Sequence, residues 1–164
     1  MRVGHNRILI KDNQDIIVFN YKGTQLCKIP YSYSYTILPG GLIFAPDKLY
    51  DSTGTNLMAE EKNISNLTYA VSDLFIFNNN SGIINSKGNE IVPSRTGEIA
   101  YLNDGFFTYT PQYQTGICDQ WGKEIIPPVY EEISYIQDGI FRVLENNKIG
   151  YIRNNMKWIL EPQK

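Results

Sequence analysis

The 164-residue sequence predicts an all-β protein, a single domain over residues 1–164 built as an array of five β-hairpin or meander repeats of about 34 residues. Three observations carry that prediction. A unit restarts at a fixed interval, as Gly82-Ile-Ile-Asn-Ser-Lys-Gly, Gly116-Ile-Cys-Asp-Gln-Trp-Gly and Gly150-Tyr-Ile-Arg-Asn-Asn-Met. Four tetrads of one chemistry, Asn20 to Gly23, Asp51 to Gly54, Asn85 to Gly88 and Asp119 to Gly122, recur with their glycines 31, 34 and 34 residues apart. Proline follows in most copies, at Pro30, Pro93, Pro127, Pro128 and Pro162, with Ala59 in that place in the second.

Each tetrad reads as a hairpin tip. Asp or Asn at its first position accepts hydrogen bonds from the turn's own amides, and glycine at its fourth adopts the positive φ that closes the hairpin with a bulge. Short apolar runs flank the tips, Ile17 to Phe19 and Leu26 to Ile29 around the first, Gly116 to Cys118 and Glu124 to Ile126 around the fourth, and these are strand signals. Proline then ends the second strand, because it has no N–H for the ladder. A strand introduced by glycine or an acidic residue follows, at Gly40, Asp73, Asp104 and Asp138, and a second turn such as Asn78 to Ser81 or Asn146-Asn147 leads into the next unit.

Residues 7–11 occupy the place of that introductory strand, so the chain is expected to begin partway through a unit and the fifth meander to lack its last strand. The fifth tip, Arg153 to Met156, has lost both the Asp or Asn and the glycine, and a changed turn centred on Asn154-Asn155 is expected there. An open, twisted array is favoured over a five-bladed propeller, since 34 residues is short for a four-stranded blade. No segment carries a sustained stripe of period 3.6, which excludes long helices.

Along Gly116 to Ile133, with the strand from Asp138 and the restart at Gly150, the sequence resembles the WG-repeat family of bacterial proteins. The resemblance is close in that unit, fair over residues 82–115 and weaker over 16–81. The Trp-Gly pair occurs once, at Trp121-Gly122. The resemblance implies β-hairpin repeats without catalytic residues, in bacterial surface, secretion or toxin-associated settings, and it brings no binding residues with it.

Composition narrows the function classes. Basic and acidic residues number 15 and 17 and are spread over both halves, which argues against binding nucleic acid. No run of about 18 apolar residues and no leader-like apolar stretch occurs, so a cytoplasmic protein without a membrane span is expected. Cys27 and Cys118, at non-equivalent points, read as buried free thiols. The single histidine, His5, has no neighbouring carboxylate and nucleophile to form a triad, and one His with two distant Cys falls short of a zinc site. Asp12 to Asp15 lacks the remaining ligands of a calcium loop. The pairs Glu60-Glu61 and Glu131-Glu132 place adjacent side chains on opposite strand faces, so neither makes a carboxylate dyad. No catalytic residue, metal or cofactor is expected.

Aromatic residues are the more informative class, with 12 Tyr, 7 Phe and 2 Trp. Tyr31-Ser-Tyr-Ser-Tyr35 would place three tyrosines on one face of a strand, and tyrosine joins a large apolar body to a polar tip, as recognition surfaces require. Tyr31, Tyr33 and Tyr35 are therefore the candidate binding residues, with Tyr113 and Trp121 beside turns as further candidates. Trp158 is expected to cover the terminal repeat. Two readings follow. One is a non-catalytic module that binds a protein partner, an immunity protein or adaptor masking a toxin; the alternative is a carbohydrate or cell-surface binding module.

Overall fold

The computed structural model describes residues 1–46, 48–58, 64, 66–94 and 97–163, and all structural statements concern these. Ala59 and the Glu60-Glu61 pair lie outside them. The array is all-β, and the only helical segments are two three-residue 3-10 turns, Pro39–Gly41 and Pro111–Tyr113. No helix is long and apolar enough to cross a membrane.

Five antiparallel sheets follow one another along the chain, each an up-and-down meander of strands consecutive in sequence. The first holds β1 (Arg2–Gly4), β2 (Arg7–Asp12), β3 (Asp15–Phe19) and β4 (Gln25–Pro30). The second holds β5 (Thr36–Ile37), β6 (Ile43–Ala45) and β7 (Lys48–Tyr50), and a single bridge from Tyr50 to Asn56 marks the place of its fourth strand. The third comprises β8 (Thr68–Val71), β9 (Leu74–Phe77), β10 (Gly82–Asn85) and β11 (Glu90–Val92); the fourth β12 (Glu98–Asn103), β13 (Phe106–Thr110), β14 (Thr115–Asp119) and β15 (Glu124–Tyr130). The fifth is β16 (Glu132–Gln137), β17 (Ile140–Glu145), β18 (Lys148–Arg153) and β19 (Trp158–Leu160).

The unit is thus phased one strand earlier than the sequence predicts. Arg2–Gly4 is the opening strand of the first sheet, His5 and Asn6 (φ 41° and 62°) form its two-residue turn, and the fifth sheet is complete. Four strands fit in 34 residues because the turns are minimal. Asp104-Gly105, Asp138-Gly139 and Asn146-Asn147 all have positive φ at both positions, the mirror-image turn whose twist matches that of paired strands.

The tips are built as the tetrads predict. Asn20, Asp51, Asn85 and Asp119 each accept two backbone amides on one side-chain oxygen, from the residues two and four further on, at 2.8–3.0 Å. Glycines 23, 54, 88 and 122 have φ of 78–84°. The fifth tip corrects the expectation of a changed turn. Met156 donates to the Arg153 carbonyl at 2.9 Å, as the tetrad glycines do to their first residues, and itself takes φ 64°. Asn155 supplies the missing acceptor, to the Lys157 amide at 3.2 Å. The ladder on either side holds the backbone in this turn without the favoured residues.

Four apolar clusters lie between successive sheets. Leu9, Ile16 and Val18 meet Ile43 and Tyr50; Leu49 and Met58 meet Phe75 and Ile84; Ile76, Ile83 and Val92 meet Phe107 and Cys118; Ile117 and Ile126 meet Phe141 and Ile152. Among the described residues no cluster joins the fifth sheet to the first, and no sheet contains strands from both ends. The array is open, as expected.

Candidate functional site

Strand β4 ends at Pro30, and residues 31–35 carry the chain across to the second sheet. They are not a strand, because Pro30 cannot donate to a ladder and the next pairing begins only at Thr36. The predicted face of three tyrosines is accordingly divided. Tyr33 is 84% exposed and Tyr31 45%, whereas Tyr35 is 5% exposed and packs in the core between the first two sheets.

Tyr35 turns inward because its hydroxyl finds partners there, as a buried phenol requires. It donates to the Pro30 carbonyl at 2.5 Å and accepts the Ser32 amide. Burial pushes its pKa up, against the opposing effect of the Ser32 bond. These bonds close a five-residue loop on itself. Tyr31 is held as well, since its amide donates to the Gln14 carbonyl at 2.8 Å and the Lys11 ammonium sits 4.0 Å from its ring centroid. Tyr33 projects from a segment pinned on both sides.

Two hollows share Tyr33 as a wall. The larger, of about 540 Å³, runs between the second and third sheets and sets Ser34, Thr36, Asn66 and Thr68 around Phe44 and Pro46. The smaller, of about 160 Å³, lies over the first sheet beside Arg2, Lys11 and Tyr31. Tyr33 is therefore a ridge between two hollows of mixed polarity, one of them bordered by two cations.

The remaining candidates stand apart. Tyr113, 95% exposed, sits in the turn joining β13 to β14, and Trp121, 74% exposed, sits on the tip joining β14 to β15. Alternating strand direction places these two connections at opposite ends of the sheet. The crossover 31–35 lies at the same end as Tyr113, two sheets away or more, and the end opposite Trp121. Trp121 borders a separate hollow of about 340 Å³ with Ser72, Asp73, Asn85 and Gln120. Trp158 packs edge-on against Tyr130, with centroids 6.4 Å apart.

Asn66 and Thr68 escaped the sequence reading, because they come from the third unit and nothing in their local pattern points at Tyr33. The other chemistry is dispersed. Glu131 accepts the Asn146 amide at 2.8 Å, and Glu132 pairs with Arg142 at 3.4 Å. Among the described residues no group of three or more His, Cys, Asp or Glu side chains is assembled for a metal. Both cysteines are free, Cys118 buried and Cys27 partly so.

The unit with these turns and this Trp-Gly tip is matched by a family model: residues 116–148 fit that described as WG containing repeat. That segment is a WG-containing repeat. The matched WG repeat spans the third and fourth strands of the fourth sheet and the first two strands of the fifth, so it crosses a junction between sheets. No curated protein matches the chain. Among solved structures, this chain is similar to a protein of unknown function from Bacteroides caccae, at 12% identity and TM-score 0.30, over 94% of this chain and 77% of that one.

Proposed function

We propose that this chain is a non-catalytic module that binds a protein partner, in the manner of an immunity protein or adaptor that masks it, through the end of the array around Tyr33. The observation that carries the reading is the Tyr33 ring, 84% exposed on a crossover pinned by Tyr35 and Tyr31 and flanked by two hollows. A rigid aromatic anchor loses little entropy on binding, and polar groups around it supply direction. Tyr31 stands beside it as a second contact. Affinity purification from the native host followed by mass spectrometry tests the proposal. A stoichiometric protein partner retained by the parent chain and lost on Tyr33→Ala, with unchanged melting temperature, supports it. A partner that Tyr33→Ala retains in full moves the site elsewhere, and recovery of no partner removes the reading.

A second reading, carbohydrate binding, is favoured by Trp121. An exposed indole beside Asp73, Asn85 and Gln120 has the parts needed to stack on a sugar ring and bond its hydroxyls. Glycan binding abolished by Trp121→Ala and indifferent to Tyr33→Ala would favour it over the first.

A further inference from the structure

The fourth unit departs from the others at two neighbouring positions. In the third, fourth and fifth sheets a glycine of the third strand pairs across the ladder, Gly82 with Phe77, Gly116 with Tyr109 and Gly150 with Val143. The Tyr109 ring lies across Gly116, where a methyl group would meet its Cε1 at 2.7 Å, and its hydroxyl donates to the Glu124 carboxylate on β15. Phe77 lies over Gly82 in the same way without a hydroxyl, and Val143 is aliphatic, so of the three the fourth unit alone has a phenol here. The residue just before the tip differs as well. Phe19, Tyr50, Ile84 and Ile152 hold that position in the other units, all larger than the Cys118 of the fourth.

A hollow of about 200 Å³ lies at these two positions, between the third and fourth sheets. Ile91, Val92 and Pro93 wall it from the side of β11, Tyr109 and Cys118 wall it from the fourth sheet, and the exposed Glu124 stands at its rim. Apart from the Tyr109–Glu124 pair the lining is apolar. Tyr109 is 7% exposed, and burial keeps the Cys118 thiol protonated and uncharged at neutral pH. None of the lining residues is basic. A cavity of about 150 Å³ holds benzene, so this one admits a six-membered ring with a short substituent. A phenol donates a single proton, which leaves the Glu124 carboxylate able to accept further donors. Neither Tyr33 nor Trp121 lines the hollow, so it is separate from both surfaces proposed above.

We propose that this hollow binds a small primary amine carried on an apolar ring, the ring seated against Val92, Cys118 and the Tyr109 ring and the ammonium on Glu124. Apolar walls with one directional polar pair are the make-up of small-molecule sites in general. Charge then decides among compact ligands. An ammonium meets the carboxylate in a charge-assisted hydrogen bond, a ligand carboxylate is repelled by it, and a plain hydrocarbon leaves it unused. The Tyr109 hydroxyl fixes where the Glu124 carboxylate stands, so the acceptor is in place before the ligand arrives. Cys118 sets the depth, because isoleucine at this position, as in the third and fifth units, would project into the space.

Nuclear magnetic resonance titration of the ¹⁵N-labelled chain at pH 7 with benzylamine, toluene and benzoate, each from about 10 μM to about 5 mM, tests it. Benzylamine should shift the Val92, Cys118 and Gly122 amides saturably. Toluene should bind the same place about tenfold more weakly or worse, and benzoate should leave the amides unmoved. Cys118→Ile should abolish the benzylamine shifts while keeping a cooperative melt, and Glu124→Gln should reduce benzylamine to the affinity of toluene. The proposal is overturned if benzylamine gives no saturable shift, if its shifts centre on other residues, or if the three probes bind alike. Benzylamine binding that survives Cys118→Ile overturns it too. If Cys118→Ile does not give a cooperative melt, the smaller Cys118→Val takes its place, and the ranking of the three probes on the parent chain stands as a test without either variant.

Discussion

Gly88 stands so close to Leu57 that a methyl group on its Cα would fall 2.0 Å from the Leu57 carbonyl oxygen. The third tip is therefore pressed on the backbone of the second unit. At Gly122 the same methyl would meet the Ile91 carbonyl oxygen at 2.6 Å, and at Gly23, on the tip of the first sheet, nothing lies within 4 Å. The tetrad glycine does two jobs, one in the turn and one in the junction.

The two jobs can be separated by substitution. Gly23→Ala bears only the left-handed backbone and should cost about 1–2 kcal/mol. Gly88→Ala must also push the two sheets apart, and should cost about 3 kcal/mol or more. Urea denaturation of both variants checks the ranking, and equal losses would show that the close approach to Leu57 is not maintained in solution.

Met156 allows a change in the other direction. Its φ of 64° carries a side chain where the other tips have glycine, and the side chain is half exposed. Met156→Gly should raise stability by about 1 kcal/mol by relieving that conformation. A lower melting temperature would mean that the Met156 side chain contributes more by packing than its backbone costs.

Tyr35 and Tyr33 should respond in opposite ways. Tyr35→Phe removes the bond to Pro30 and leaves the Ser32 amide without its acceptor, and should cost about 1–2 kcal/mol. Tyr33→Ala should change stability by less than about 0.5 kcal/mol. Thermal melts of the two variants decide this, and matching losses would place Tyr33 in the packing after all.

Alkali should weaken the junction between the third and fourth sheets. Burial first, and the charge of Asp119 second, push the Cys118 thiol from 9.0 up to about 12. Burial and the Glu124 carboxylate, to which Tyr109 donates, raise the Tyr109 phenol as well. The folded state thus holds these protons more tightly than the unfolded chain. Its stability is full below about pH 9 and falls as pH rises toward 12, with Cys118 accounting for about 1.4 kcal/mol per pH unit. Urea midpoints between pH 8 and pH 11 should fall, and Cys118→Ala should flatten the slope whatever its effect at neutral pH.

The repeat was legible because its chemistry is local: an Asp or Asn, a glycine three residues on and a proline after the second strand specify a tip wherever they occur. The phase was not, since Arg2–Gly4 is three residues long and His5-Asn6 is a turn without the usual residues. Of the candidate site, Tyr33 and Tyr31 were readable as exposed rings, but the inward turn of Tyr35 depends on a core assembled from two sheets and on the Pro30 carbonyl.

Among the described residues, strands pair only with those next in sequence and the core clusters join only consecutive sheets, so no sheet or cluster ties the beginning of the array to its end. Its unfolding is then a process in one dimension, started at either terminus and passed from sheet to sheet. Amide hydrogen exchange should slow from the outer sheets toward the middle ones, so the residues around Tyr33, one junction in from the start, sit where the chain opens early.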